Sequence, residues 1–161
     1  MGIKVSIISV GKIKEKYIQL GIDEFSKRLK RFCSLELIEL RDEPIYDKAS
    51  EKELEIIRKK EAEQIISKIS RDSFIITMDI EGKSFSSEEL ATQIKNTVTY
   101  GKSHITFIIG GSVGLAHEIK KSADLRLSFS KMTFPHQLFK LILLEQLYRC
   151  FKINSNESYH K

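Results

Sequence analysis

A short apolar run that ends abruptly in two glycines is the most informative feature of this sequence. Residues 104–111 read His104-Ile105-Thr106-Phe107-Ile108-Ile109-Gly110-Gly111. The run is rich in β-branched and aromatic side chains and shows no polar alternation, which is typical of a strand buried on both faces. A short helical pattern follows at 116–122. Because strands buried on both faces belong to parallel sheets covered by helices, this segment predicts an α/β fold.

The same order of strand and helix extends over the whole chain. Two helices are expected to begin at capping boxes, one formed by Ser50 with Glu53 and the other by Ser86 with Glu89. The pattern contains no internal repeat and no linker, so we expect one domain over residues 1–161, with a mostly parallel sheet and flanking helices. The predicted strands are 3–10, 35–40, 74–79, 104–109 and 125–129, and the predicted helices are 13–32, 50–69, 86–101, 116–122 and 135–153.

Composition and charge narrow the class of protein. The chain has 161 residues, of which 41% are hydrophobic, and this excludes a mostly disordered or low-complexity protein. No apolar run approaches the roughly 18 residues of a membrane-spanning helix, and the N-terminus lacks signal-peptide features. We therefore expect a cytoplasmic protein that is not associated with a membrane. The net charge of +5 permits an acidic partner. Cys33 and Cys150 lack metal-ligand spacing, so we expect reduced thiols and no metal.

The last predicted helix, at 135–153, is apolar around nearly its whole circumference. Such a helix must be covered on more than one side, and we expect a sheet in a domain of this size to cover only one of them. The helix is therefore either a buried core helix or the interface of a homodimer. Of these two interpretations we favour the homodimer.

Two segments could hold a ligand, although each is also compatible with an ordinary loop. The glycine turn at 108–114 would let a backbone approach a ligand closely, and the loop at 127–137 could place Met and Phe side chains around a flat ring. The glycine order is Gly-Gly-x-x-Gly rather than Gly-x-Gly-x-x-Gly, and no acidic residue is placed to hold a ribose. These departures disfavour a nucleotide-dependent oxidoreductase.

Five motifs lie in order along the chain, at 10–15, 107–114, 127–138, 145–149 and 159–161. They read VGKIKE, FIIGGSVG, LSFSKMTFPHQL, EQLYR and YHK. With these motifs the chain resembles the SPOUT, or α/β-knot, methyltransferases. More narrowly, it resembles the small bacterial family that methylates N3 of a pseudouridine in 23S ribosomal RNA. One departure is Met78, where the family more often has leucine, and this substitution conserves volume.

The resemblance implies a C-terminal trefoil knot, which is a rare exception to the rule that chains are unknotted. It also implies that S-adenosylmethionine binds in the knot, held mainly by backbone groups at the carboxyl ends of strands. Transferred position by position, the cofactor-binding residues are Met78, Gly110, Phe129, Ser130, Lys131, Met132, Thr133 and Phe134.

The resemblance further implies a site for removing the N3 proton of the base, because a methyl group replaces that proton. The available groups are His160 and Tyr159 in the C-terminal tail and Arg149 on the last helix, with Glu145 orienting Arg149 from four residues away. The family uses this tail at the active site, against the partner protomer's cofactor. We expect His136 to cap or pack rather than to act in catalysis.

The implied substrate is an assembled ribosome, since no separate RNA-binding module fits in a chain of this length. A basic excess near the N-terminus could contact phosphates or form an ordinary solvated helix face. Its members are Lys12, Lys14, Lys16, Lys27, Arg28, Lys30 and Arg31. The alternative function is a non-enzymatic ribosome-binding factor with the same fold.

Overall fold

The computed structural model describes residues 2–161, and over this range strands and helices alternate. The strands are β1 (Ile3–Val10), β2 (Cys33–Leu40), β3 (Phe74–Ser84), β4 (His104–Ile109) and β5 (Leu125–Ser128). The helices are α1 (Lys16–Leu29), α2 (Glu51–Lys68), α3 (Ser87–Tyr100), α4 (His117–Ser122) and α5 (His136–Asn154). Both predicted capping boxes are present, at the starts of α2 and α3. The predicted bounds hold to within three residues, except that β3 continues well beyond its predicted end.

All five strands belong to one parallel sheet in the order β2-β1-β4-β3-β5. This confirms the predicted α/β fold with a parallel sheet. Since the carboxyl ends of parallel strands meet at one edge of a sheet, the part of β3 around Met78 and the segments after β4 and β5 become neighbours. The predicted C-terminal knot stays a prediction.

The sheet separates two apolar cores, because neighbouring side chains of a strand point to opposite faces. Ile7 belongs to the core beneath α1, α3 and α5, whereas Ile8 belongs to the core beneath α2 and α4. The first core is the larger, and α5 supplies Leu143, Leu144 and Leu147 to it, each buried almost completely. None of the helices within residues 2–161 is long and apolar enough to cross a membrane.

The premise that only one side of α5 could be covered is wrong. Helix α5 lies between α1 and α3 as well as over the sheet. On the α1 side, Leu141 packs so closely on Gly21 that a Cβ there would lie 2.8 Å from a Leu141 methyl carbon. Beyond the C-terminal end of α1, Phe151 stacks on Phe32 with 5.6 Å between ring centroids. The sheet and the two flanking helices therefore leave no residue of α5 exposed and bury six of its nineteen residues, and the homodimer stays a prediction.

Strand β3 is longer than predicted because it leaves the ladder and returns. Both Met78 and Lys83 pair with Leu127 of β5, so residues 79–82 bulge out between them. Gly82 closes this bulge against the backbone of β5, and a Cβ at Gly82 would lie 2.6 Å from a backbone carbonyl there. Only glycine fits at such a distance. The bulge places residues 79 and 80 at the carboxyl edge of the sheet, beside the glycine turn.

Candidate functional site

A cavity of about 250 Å³ opens at the carboxyl edge of the sheet, between the ends of β3, β4 and β5. Seven of the eight predicted cofactor-binding residues line it, and Lys131 does not. The cofactor-binding role of these residues stays a prediction, which for Lys131 rests on the resemblance alone. The lining residues are Met78, Asp79, Ile80, Ile109, Gly110, Gly111, Gly114, Leu115, Lys120, Leu127, Ser128, Phe129, Ser130, Met132, Thr133, Phe134, His136 and Phe139.

The glycine turn after β4 forms one wall of the cavity. Its ends are joined by a hydrogen bond from the Gly114 amide to the Gly111 carbonyl, 3.0 Å long. Gly114 has a φ of +79°, a conformation that glycine adopts without strain. A Cβ at Gly110 would lie 3.0 Å from the carbonyl carbon of Gly114 and from Leu115 Cγ. The turn is therefore closed tightly, and it presents backbone rather than side chains to the cavity.

The loop after β5 forms the opposite wall and is held in place by aromatic contacts. Phe129 stacks on Phe139 of α5 at 5.1 Å, and Phe134 contacts the same ring at 6.2 Å. Within the loop, the Met132 amide donates a 2.9 Å hydrogen bond to Ser130 Oγ. The Met132 side chain is 74% exposed at the rim. The result is an apolar slot with exposed backbone groups, which suits a flat ring with polar edges.

A charged group at the mouth of the cavity was missed by sequence reasoning. Asp79 is buried and accepts hydrogen bonds from both Nε and Nη2 of Arg126, while Lys120 Nζ lies 3.9 Å from its other oxygen. Burial raises the pKa of Asp79, but the Arg126 hydrogen bonds and the Glu81 amide outweigh it, so the pKa is lowered and the carboxylate is ionised. The available signal was its position as the last residue of the predicted strand 74–79.

His136 also lines the cavity. Its ring lies against Gly11, where a Cβ would be 3.1 Å from Nε2, and the expectation that His136 does not act in catalysis stays a prediction. Leu115 and Phe139 are further lining residues that carried no motif in the sequence. Both residues line the cavity because the glycine turn and α5 meet at this edge of the sheet.

The four predicted catalytic residues form one cluster at the C-terminal half of α5. Glu145 Oε2 accepts a 2.6 Å hydrogen bond from Arg149 Nη2 and a 2.8 Å hydrogen bond from the Tyr159 hydroxyl. The pairing of Glu145 with Arg149 is thereby confirmed. The Tyr159 ring packs edge-on against the Tyr148 ring, with 4.8 Å between their centroids. The Arg149 guanidinium lies 4.8 Å from the centroid of the Tyr159 ring. The tail is docked on its own chain rather than frayed.

His160 is held at both ring nitrogens. Arg149 Nη1 lies 3.1 Å from Nδ1, and Glu88 Oε1 lies 2.5 Å from Nε2. Because a guanidinium can only donate, Nδ1 is the acceptor and the ring proton lies on Nε2, facing Glu88. The hydrogen bond from His160 lowers the pKa of Glu88. Burial and the Glu145 carboxylate raise the pKa of Tyr159, so its hydroxyl is a donor and not a base.

The predicted catalytic residues and the predicted cofactor-binding residues do not share this cavity in a single chain. None of Glu145, Arg149, Tyr159 and His160 lines the cavity described above. The structure therefore brings the predicted catalytic residues together with one another, but not with the predicted cofactor-binding residues.

The remaining expectations concern metals, thiols and surface charge. No group of His, Cys, Asp or Glu within residues 2–161 is arranged to hold a metal ion. Cys33 and Cys150 are free and buried, as expected, and burial raises their pKa values to about 11 and about 12. All seven basic residues near the N-terminus are exposed. Two of them are paired, Arg28 with Glu24 and Arg31 with Glu157.

The chain is similar to known proteins over nearly its whole length. Residues 3–160 match the family model described as "Predicted SPOUT methyltransferase". "Ribosomal RNA large subunit methyltransferase H" of Clostridioides difficile strain 630 is 55% identical over 157 residues, which cover 98% of this chain and 99% of that protein. The protein of the same name from Lysinibacillus sphaericus strain C3-41 is 50% identical with the same coverage.

A solved structure supports the fold alone. The structure described as a probable methylase family protein from Haemophilus influenzae Rd KW20 has a TM-score of 0.54 and 15% identity, and the match covers 98% of this chain and 70% of that one. The family match and the full-length relatives together leave one conclusion. The chain belongs to the SPOUT methyltransferase family.

Proposed function

We propose that the protein transfers a methyl group from S-adenosylmethionine to N3 of a pseudouridine in 23S ribosomal RNA, acting on assembled ribosomes in the cytoplasm. Family membership supports methyl transfer, and the names of the full-length relatives support ribosomal RNA of the large subunit as the substrate. The observation that carries the proposal is that Met78 of β3, the glycine turn after β4 and the loop after β5, which are distant in sequence, line one cavity.

The residues of this cavity fit the proposed methyl donor. An adenine ring needs an apolar slot whose walls also offer backbone donors and acceptors, and the loop at 129–134 and the glycine turn provide both. The amino-acid end of the donor is zwitterionic, and Asp79 and Lys120 supply one charge of each sign at the mouth. The cavity is slightly smaller than the roughly 300–1,000 Å³ of typical ligand sites, which suits a site completed by a second protomer.

The donor, when bound, supplies an already activated methyl group, so the chain itself must position the base and remove its N3 proton. His160 is the candidate base because Arg149 can only donate to its Nδ1, which therefore has a lone pair to offer once Arg149 moves away. His160 can accept a proton at Nδ1 only after the hydrogen bond between Nδ1 and Arg149 is broken. The freed Arg149 could then stabilise negative charge on the base, while Tyr159 donates a hydrogen bond.

A homodimer would bring the two groups of residues together. None of the four residues of the tail cluster lines the cavity of its own chain, and apolar side chains of α1 and α5 remain accessible. Tyr17 and Leu20 of α1 are 65% and 61% exposed, and Leu141 of α5, which packs on Gly21 of α1, is partly exposed. We therefore propose that two copies pair through α1 and α5, so that the tail of one protomer serves the cavity of its partner.

We propose that the substrate surface is an assembled ribosome, and the names of the full-length relatives support its large-subunit RNA as the part that is modified. Lys12 and Lys14 are exposed beside the carboxyl edge of the sheet and line a shallow groove with Arg41 and His136. Phosphate contacts from such lysines would position the RNA without selecting its sequence. Selection would then depend on the flipped-out or looped base, including the N1–H group that distinguishes pseudouridine from uridine.

The test is methyl transfer from labelled S-adenosylmethionine to ribosomes isolated from cells that lack this gene, followed by mass mapping of the 23S rRNA. We expect one methyl group on one pseudouridine, and ribosomes that lack this pseudouridine should be poorer substrates. Ribosome binding without methyl transfer would favour the non-enzymatic alternative. Equal rates on both kinds of ribosome would refute the pseudouridine preference.

A further inference from the structure

Helix α2 lies directly behind the glycine turn and contacts it through two charged side chains. Arg58 Nε donates a 2.7 Å hydrogen bond to the backbone carbonyl of Val113. Glu61 lies three residues further along, on the same face of the helix. A Cβ built on Gly111 would be 3.7 Å from Glu61 Oε1. Neither residue is among those that line the cavity.

Glu61 is an unusual residue for this position. It is only 4% exposed, and its Oε2 accepts a 3.0 Å hydrogen bond from the Glu43 amide in the β2–α2 loop. Its Oε1 is buried and has no hydrogen-bond partner among the residues that the structure describes. Burial raises the pKa of Glu61, the Glu43 amide lowers it, and repulsion from Asp42 and Glu43 raises it further.

A buried carboxyl group with one unused oxygen destabilises the fold. An unsatisfied buried polar atom costs free energy, and a charged one costs more. A glutamine of nearly the same shape could accept from the Glu43 amide without burying a charge. Packing and folding therefore do not explain why a carboxylate stands here, and the unused oxygen faces the backbone of a turn that is proposed to bind a ligand.

We propose that Arg58 and Glu61 are positioning residues for the methyl-donor site, and that the free oxygen of Glu61 accepts a backbone N–H of the glycine turn when the donor is bound. This inference rests on the proposed function. In the proposed arrangement, α2 contacts the glycine turn at two points. The Val113 carbonyl of the turn accepts a hydrogen bond from Arg58, and a backbone amide of the turn donates one to Glu61.

The inference explains the residue type at position 61. A carboxylate accepts hydrogen bonds on both oxygens, so it can hold the Glu43 amide and an amide of the turn at the same time. A glutamine has one accepting oxygen, and whichever amide it leaves would face the glutamine NH2 group. Glu61→Gln should therefore preserve the fold while weakening donor binding, which is the opposite of what a residue needed only for stability would do.

The experiment measures the affinity of the full-length protein for S-adenosylmethionine and S-adenosylhomocysteine by calorimetry, together with the thermal midpoint of each variant. The test variants are Glu61→Gln and Arg58→Met. The matched controls are Glu63→Gln and Lys59→Met, which change exposed residues on the same helix. We expect Glu61→Gln to weaken both ligands by about tenfold or more, with an unchanged or higher thermal midpoint. Arg58→Met should weaken them in the same direction, and the controls should bind as the wild type does.

Each outcome decides between distinct statements. If the wild type binds and Glu61→Gln binds equally well, the positioning role of Glu61 is wrong. If Glu61→Gln lowers the thermal midpoint and binds normally when folded, Glu61 is a structural residue only. If the wild-type chain binds neither ligand, the proposed function is wrong and this inference falls with it.

Discussion

Replacing Glu145 with glutamine tests whether the tail cluster is organised by a single carboxylate. Glu145 Oε2 receives both the Arg149 guanidinium and the Tyr159 hydroxyl, at 2.6 Å and 2.8 Å. Glutamine keeps the shape of the side chain but removes the charge, so it can retain at most weaker versions of these two contacts. Arg149 would then lose its fixed position, and with it the contact that holds His160.

The expected loss of unfolding free energy follows from how exposed the Glu145–Arg149 pair is. Hydrogen bonds to a charged group contribute roughly 1.5–3 kcal/mol when desolvated. The side chains of Arg149 and Glu145 are 24% and 23% exposed, so solvent screens part of this contribution. We expect Glu145→Gln to lower the free energy of unfolding by about 1–2 kcal/mol. For a chain of this size each kcal/mol lowers the thermal midpoint by roughly 2–4 °C.

The chain provides a matched control in Glu24→Gln. Glu24 forms the same type of pair, with an arginine four residues further along its helix at 2.8 Å, but both side chains are largely exposed. Thermal unfolding should therefore detect a loss in Glu145→Gln and none in Glu24→Gln. Methyl transfer to ribosomes should fall at least tenfold in the first variant only. Equal thermal midpoints and equal transfer rates for the two variants would refute the view that Glu145 organises the cluster.

Three further predictions concern buried groups. Burial raises the pKa values of Cys33 and Cys150 to about 11 and about 12. Neither thiol should react with a thiol reagent at pH 8 until the protein is unfolded, because the reactive thiolate is absent. Rapid labelling of the native protein would contradict this prediction. The lowered pKa of Asp79 means that its ion pair stabilises the fold above the unfolded pKa of about 3.9 and loses this effect as the pH falls through the folded pKa. The loss of stability caused by Arg126→Ala should therefore be largest near pH 6 and shrink in acid, and a difference independent of pH in urea titrations would be inconsistent with this assignment. Lys140 is 1% exposed, and burial lowers its pKa although a β2 carboxylate lies 3.3 Å away. Lys140→Met should leave the thermal midpoint unchanged or raise it, because well-packed apolar residues often replace buried ions without loss of stability. A large fall in the thermal midpoint would show that the ion pair is needed for folding.

Much of the fold could be predicted because it depends on local patterns. The apolar runs before Gly11 and Gly110 and the capping boxes at Ser50 and Ser86 are each contained within a few residues. Their effects on backbone conformation are local, so element bounds and the parallel sheet followed from the sequence. The positions of the predicted cofactor-binding residues followed from the resemblance, and seven of them line one cavity.

Other features required the tertiary structure because their partners are distant in sequence. The β3 bulge depends on how β3 pairs with β5, about 50 residues later, and it is this bulge that places Asp79 at the cavity mouth. The covering of α5 depends on α1, more than 100 residues earlier. Periodicity identifies which face of a helix is apolar, but not which neighbours cover it.

The sequence by itself determined the order of elements, the parallel sheet and, through its motifs, the family. Only the tertiary structure decided that the tail docks on Glu145 and Glu88, that the tail does not line the cavity of its own chain, and that Glu61 is buried behind the glycine turn. The physical reason is the range of the interactions. Backbone conformation and capping depend on residues within a turn or two, whereas hydrogen bonding and desolvation of a side chain depend on whichever groups the completed fold brings within a few ångströms.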